Sequence, residues 1–294
     1  MLNKIFSLFI IFSLSNAQNY SLNFDGLDDN VNFGDLNTLD MGTDNFTIQA
    51  WIKVNPNVSN GTTSNDGYIV SKRGYSMGNG YEVRVSNDGY IKASLLTESY
   101  EKQIISDVTI NDDSWHLIHV VFDRSWNNGH IVVDGASGTT HSLSPIGTTN
   151  INNDNNFTIG EFSSLNGRVL LGLIDEIVIW NRTLLPAEII SLYNLGSPLN
   201  PLANSGDYNS SGNIVSYWNF NNNSSSTLID QSGNGNNGTI TGASFILNAP
   251  TMTIASSTVT SGTTTNDATL ALTFTSSEAT STFAVSDITV SGGT

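Results

Sequence analysis

Gly172-Leu173-Ile174-Asp175-Glu176-Ile177-Val178-Ile179-Trp180-Asn181-Arg182, followed by Thr183-Leu184-Leu185-Pro186-Ala187-Glu188-Ile189-Ile190, is the stretch whose reading decides the fold. The first run is apolar almost throughout except at Asp175 and Glu176, so it reads as a strand covered on both faces. The second places Pro186 where a helix begins, and Gly196 where one ends, which predicts a short helix closing a domain. Side chains alternate along a strand, so Asp175 and Glu176 are expected on opposite faces and at most one enters the core. A carboxylate there needs a cation or several donors to stay charged.

Working outward, Phe46–Val54 alternates cleanly: Phe46, Ile48, Ala50, Ile52 and Val54 form one face, Thr47, Gln49, Trp51 and Lys53 the other. Residues 21–34 read as a hairpin with an oxygen-rich tip, because Leu22/Phe24 and Val31/Phe33 flank Asp25-Gly26-Leu27-Asp28-Asp29-Asn30. Short strands are predicted at 68–72, 81–85, 90–96, 103–108, 115–122, 130–133 and 157–160, with turn residues between them. Regular short strands without intervening helices predict an all-β, two-sheet antiparallel sandwich.

Composition agrees. The chain has 294 residues, with 38% hydrophobic and only 12% charged residues. Ten Lys+Arg against 26 Asp+Glu give a formal charge of −16. Such a surface repels nucleic acid and anionic membranes and suits divalent cations, although plain solubility accounts for most of it. Met1–Ala17 reads as a secretory signal: Lys4, an apolar run from Ile5 to Leu14, then Ser15-Asn16-Ala17. The run is short for a membrane span, so a secreted product with no membrane insertion is expected. With no cysteine, stability must come from the core or from metal ions.

Phe24-Asp25-Gly26-x-Asp28-Asp29, Phe46-Thr47-Ile48-x-Ala50-Trp51, Trp115-His116, Asp134-Gly135 and Gly172-x-Ile174-Asp175-Glu176-x-x-Ile179-x-Asn181-Arg182 occur in that order. Together they resemble the laminin-G-like, concanavalin-A-like jelly-roll family over residues 18–195. Leu185 stands where that pattern expects a serine cap. The resemblance implies two face-to-face antiparallel sheets, calcium at a rim, and service in glycan recognition or adhesion. Residues 196–213 read as a linker. Residues 214–250 resemble the Trp-x-Phe strand and Asp-x-Ser-Gly-Asn loop of the same family; they are expected either to dock on the jelly roll as an added β unit or to hang loosely. Residues 251–294 resemble the start of a bacterial immunoglobulin-like module, and are read as a truncated one.

For metal, Asp25, Asp28 and Asp29 offer the hard oxygens Ca2+ takes. If first and last strands lie side by side, the turn comes near Asp175. The competing reading has Asp25 and Asp175 capping turns without metal. For catalysis, no Glu-x-Asp-x-x-Glu, Gly-x-Ser-x-Gly or cysteine nucleophile is present, and His116 and His119 fall on opposite strand faces; no enzyme is expected. For sugar binding, flat aromatic faces are needed. Trp51, Tyr75, Tyr81, Tyr100 and Trp126 are the candidates, each weighed against ordinary packing. Trp126 sits in the turn Ser125-Trp126-Asn127-Asn128-Gly129, where core packing explains an indole least well. The expected function is a secreted, non-catalytic, calcium-stabilised carbohydrate-binding or adhesion module with a glycan or extracellular protein as partner. A structural spacer domain is the alternative, and a polysaccharide hydrolase ranks third.

Overall fold

The computed structural model describes residues 19–56, 66–74, 78–162, 168–196, 198–222, 226–248, 252–256 and 272–276. The expected signal segment and Tyr75 lie outside these residues, as does most of the immunoglobulin-like stretch. The chain divides into two units, Tyr20–Leu247 and a second formed by Met1–Asn19 with Asn248–Thr294. Of the second, β17 (Met252–Ser256) and β18 (Leu272–Ser276) are described as one antiparallel pair.

The larger unit is a two-sheet antiparallel sandwich of the jelly-roll kind. One sheet runs β10 (His141–Ser142), β9 (Asn128–Val133), β8 (Trp115–Asp123), β3 (Phe46–Val54), β12 (Leu171–Trp180), β1 (Asn19–Asp25), β16 (Ser244–Asn248), with β13 (Ile214–Trp218) also on β12. The other runs β14 (Thr227–Leu228), β15 (Gly238–Thr241), β2 (Asn30–Asn32), β11 (Thr158–Ile159), β4 (Gly67–Arg73), β5 (Gly80–Val85), β6 (Tyr90–Leu96), β7 (Glu101–Thr109).

The core lies between the sheets. Phe46, Ile48, Ala50, Ile52 and Val54 all enter it, as the alternation of that segment predicts. The opposite face of the first sheet is covered as well. Val121, Val132, Val178, Trp180 and Tyr217 pack there against Leu184 and against Ile189 and Leu192 of α1 (Pro186–Tyr193). That second layer is why β12 reads as apolar on both faces. The missing serine cap is offset from the other side: the buried Glu188 carboxylate accepts the Leu185 N–H at 2.9 Å.

β12 changes neighbour halfway along. On one edge, Ile174, Leu173, Gly172 and Leu171 pair with β1, whereas Ile177–Trp180 pair with β13. On the other edge, Asp175 faces Trp51 and Val178 faces Gln49, so β12 carries one extra residue: a β-bulge. Glu176 absorbs it with φ +51°. The bulge corrects the expectation drawn from plain alternation. Asp175 is on the side of Trp51, and Glu176 reaches Tyr217 on the same side, so neither carboxylate enters the inter-sheet core.

Residues 196–213 differ from the linker reading. Tyr208 is buried, its hydroxyl accepts the Trp180 indole N–H at 3.0 Å and donates to the Pro201 carbonyl at 2.8 Å. Ser210 is buried and donates to Glu188. The Gly, Ser and Asn content that suggested a linker serves close turns against α1 instead.

Candidate functional site

The acidic turn between β1 and β2 brings Asp25, Asp28 and Asp29 together, with one carboxylate oxygen of each within 4.8 Å of the others. Asp25 and Asp28 are exposed and Asp29 is buried. Two oxygens are already engaged: Asp29 Oδ2 accepts the Asp25 N–H at 2.7 Å, and Asp25 Oδ1 the Leu27 N–H at 2.8 Å. Burial raises the Asp29 pKa above the ordinary carboxylate range; the Asp25 N–H opposes this, and the neighbouring Asp25 and Asp28 add to the rise. Among the described residues no ion pair involves any of the three.

Asp175 does not join them. β1 does run beside β12, but Asp25 is opposite Leu171, four residues from Asp175 and so roughly 13 Å along the strand. Asp175 Oδ1 instead accepts the Glu176 N–H at 2.8 Å. Glu176 accepts the Tyr217 hydroxyl at 2.5 Å, and burial pushes its pKa up to about 7. His116 bridges Asp134 and Asp112 at 2.7 and 3.1 Å, which raises its pKa, chiefly through Asp134. His119 is buried beside Trp180 and burial pushes it down to about 3, a permanently neutral ring. Asp175, Glu176 and His116 are thus tied to neighbours within the sheet.

The candidate aromatics separate by exposure. Trp51 is buried next to Tyr193 of α1. Tyr81 is buried in the main core, its hydroxyl bound to the Leu39 carbonyl at 3.0 Å. Neither presents a face to a ligand, because the sheet surfaces they sit on are themselves covered. Trp126 is 79% and Tyr100 52% exposed. The turn under Trp126 is pinned: Asp123 Oδ1 accepts the Ser125 hydroxyl at 2.7 Å and the Trp126 N–H at 3.1 Å, and Asn45 Oδ1 accepts the Ser125 N–H at 3.0 Å. Below it the buried Arg124 guanidinium donates to the carbonyls of Gly42, Gly147 and Thr149. β7 follows β9 across the sandwich: Asp107 binds the Thr139 N–H, and the Ile105 carbonyl meets His141, itself paired with Gly129. That run places the turn carrying Tyr100 at the same end as the turn carrying Trp126.

A charged cluster on the outer face of the second sheet was not anticipated from the sequence. Glu82 on β5 is buried between Arg73, at 3.0 Å, and Arg84, which also binds Asp66 at 2.7 Å. Arg73 lies over the ring of the buried Phe162, which packs on Tyr68. The readable signal was Glu82 and Arg84 alternating with the core residues Tyr81, Val83 and Val85. Both Glu82 oxygens accept hydrogen bonds from arginines.

This is a lectin-type β-sandwich. Residues 24–190 match the model of the concanavalin A-like lectin/glucanases superfamily, and the chain belongs to that family. No curated protein matches. Among solved structures, a Bacteroides ovatus protein named as a candidate carbohydrate-binding protein superposes with TM-score 0.56 at 14% identity; the match covers 78% of this chain and 60% of that one. The heptameric SAP-like pentraxin of Limulus polyphemus gives TM-score 0.46 at 15% identity over 60% of this chain and 83% of that one. The binding domain of botulinum neurotoxin serotype G gives 0.42 at 20% identity over 57% and 40%. At these identities the likeness concerns the fold.

Proposed function

We propose that the chain is a non-catalytic carbohydrate-binding module of an exported protein, with the glycan resting on Trp126 and bordered by Tyr100. The observation that carries this reading is the exposed indole of Trp126, carried on a turn whose backbone is held by hydrogen bonds. An aromatic face held open to water is available for stacking on the C–H face of a sugar, and a fixed turn avoids the ordering cost on binding. The family, and the name of the Bacteroides ovatus relative, support the substrate class. The signal-like Met1–Ala17 supports export. The Thr/Ser-rich residues from 251 onward belong, in this reading, to an immunoglobulin-like module beside the sandwich.

A binding module also accounts for the acids. Asp25, Asp28 and Asp29 fit a calcium ion as a structural ligand set: three hard carboxylates, no basic ion-pair partner among the described residues, and mutual repulsion at Asp29 that a cation relieves. With an affinity near ~1 mM, as in extracellular modules, about 10 mM Ca2+ stabilises by about 1.4 kcal/mol. The melting temperature then rises by about 3–5 °C and falls back with excess chelator. An unchanged melting curve removes calcium from the account. The glycan reading is tested by screening the full chain against an array of neutral and acidic glycans with and without calcium. Binding to a restricted set is expected; a blank array in both conditions favours a spacer domain.

A further inference from the structure

We propose a second binding site, for a single uncharged sugar ring or comparable polyol, in the cavity between α1, β9 and the loop that follows β9. The cavity holds about 220 Å³ and is lined by His130, Val132, Ser137, Thr140, Pro186 and Ile189. It lies on the outer, helix-covered face of the first sheet, at the far end of β9 from Trp126.

The chemistry of the lining selects the ligand. Val132, Pro186 and Ile189 make an apolar floor, while His130, Ser137 and Thr140 bring ring nitrogens and hydroxyls to the same space. Within the chain none of these three side chains forms a hydrogen bond among the described residues, so their donors and acceptors are open to a ligand. No Asp, Glu, Lys or Arg lines the cavity, and burial lowers the His130 pKa against the opposing pull of Asp123. A charged ligand would lose its hydration with no counter-charge to replace it. A polyol ring, apolar on its C–H face and hydroxylated at its rim, matches both halves of the lining. The volume is below the roughly 300–1,000 Å³ of pockets for drug-sized ligands, which fits one ring and not a chain.

The loop forming the outer wall is held in place. Asp134 and Gly135 turn with φ of +52° and +73°, and the Ala136 N–H bonds the Val133 carbonyl at 2.9 Å. Gly138 lies so close to β9 that a Cβ on it would sit 1.8 Å from the Ile131 carbonyl oxygen. The Thr139 N–H is tied to Asp107 of β7 at 2.8 Å. A wall fixed at both ends keeps the Ser137 and Thr140 hydroxyls in register with His130 at little ordering cost.

The test is a set of amide-resolved NMR titrations of the full chain with glucose, galactose, mannose and N-acetylglucosamine to about 50 mM, well past a millimolar dissociation constant. Glucuronate serves as the charged comparison. Saturable shifts at His130 and at residues 137–140 with at least one neutral sugar are expected. In the S137A/T140V variant, altered only at exposed hydroxyls, that affinity falls by about fivefold or more. W126A leaves these shifts unchanged, which separates this site from the proposed glycan surface whichever of the two fails. The absence of saturable shifts with all four neutral sugars overturns the proposal. So do glucuronate binding as tightly as they do, or undiminished binding by S137A/T140V.

Discussion

Lys72→Met is expected to lower the stability of the β-sandwich unit by about 3–5 kcal/mol in urea denaturation of the full chain. Lys72 is fully buried, yet its ammonium is not in the hydrophobic core proper. It sits at the end of β4 where two loops converge, 2.9 Å from Asp35 and 3.3 Å from Asp40. It also donates to the carbonyls of Asn153 and Asn155 at 3.3 and 3.1 Å. The ammonium thus acts as a tethered cation inside a nest of oxygens. A methionine fills a similar volume but removes the donor that two partly exposed carboxylates and two carbonyls share. Lys72→Met combined with Asp35→Asn recovers part of the loss, because removing one acid lessens the repulsion; the double-mutant cycle measures that coupling. A loss below about 1 kcal/mol for K72M would mean that water replaces the ammonium without difficulty.

The second large effect concerns Glu176 and pH. Its carboxyl sits at the bulge where β12 trades β1 for β13, with the Tyr217 hydroxyl as its hydrogen-bond donor and Asp175 next to it. Burial pushes its pKa up to about 7, whereas the unfolded chain titrates near the ordinary glutamate value of ~4.3. Between those two values the folded form holds a proton that the unfolded form has released. Stability contributed by the protonated carboxyl is therefore complete below about pH 4, declines as the pH rises towards 7, and is absent above it. The decline attributable to this group is about 3–4 kcal/mol. Glu176→Gln keeps a neutral acceptor for Tyr217, so the variant is more stable than the parent at pH 8 and matches it at pH 4.5. Taking the difference between the two proteins cancels the other raised groups, His116 and Asp29 among them. Parallel stability–pH curves for parent and variant would contradict the assignment.

Both effects involve residues whose local sequence gave little hint of them. Lys72 reads as the polar end of a strand, and only the return of residues 153–155 to the end of β4 buries it. The Asp175–Glu176 pair shows the same limit from another side. Its place in a strand was legible from the surrounding Ile and Val. The bulge was not, because it arises from a change of partner between two strands some 200 residues apart in the chain, β1 and β13. Once the bulge exists, period-two alternation fails at that point and the two acids share a side. Likewise the side-by-side run of β1 and β12 was an expectation carried by the jelly-roll resemblance. Register was not, and register sets Asp25 against Leu171 instead of Asp175.

The aromatic candidates divide along the same line. A turn composed of Ser125, Trp126, Asn127, Asn128 and Gly129 has no apolar neighbours to hide an indole, so the exposure of Trp126 follows from local sequence. Trp51 and Tyr81 stand on strands, and whether a strand face is open depends on what crosses it. Helix α1 covers the one and the opposing sheet covers the other. Tertiary packing, which no window of sequence contains, decides those two cases.

The most direct test of the proposed function is the affinity of the full chain for whichever glycan the array selects, measured by calorimetry on the parent protein and on Trp126→Ala. The indole is 79% exposed, so the variant should keep the parent's circular dichroism and melting temperature. The account predicts a loss of affinity of at least about tenfold, near 1.4 kcal/mol, with folding intact. Affinity retained within about twofold by W126A would contradict it, and would place the sugar on some other surface of the sandwich.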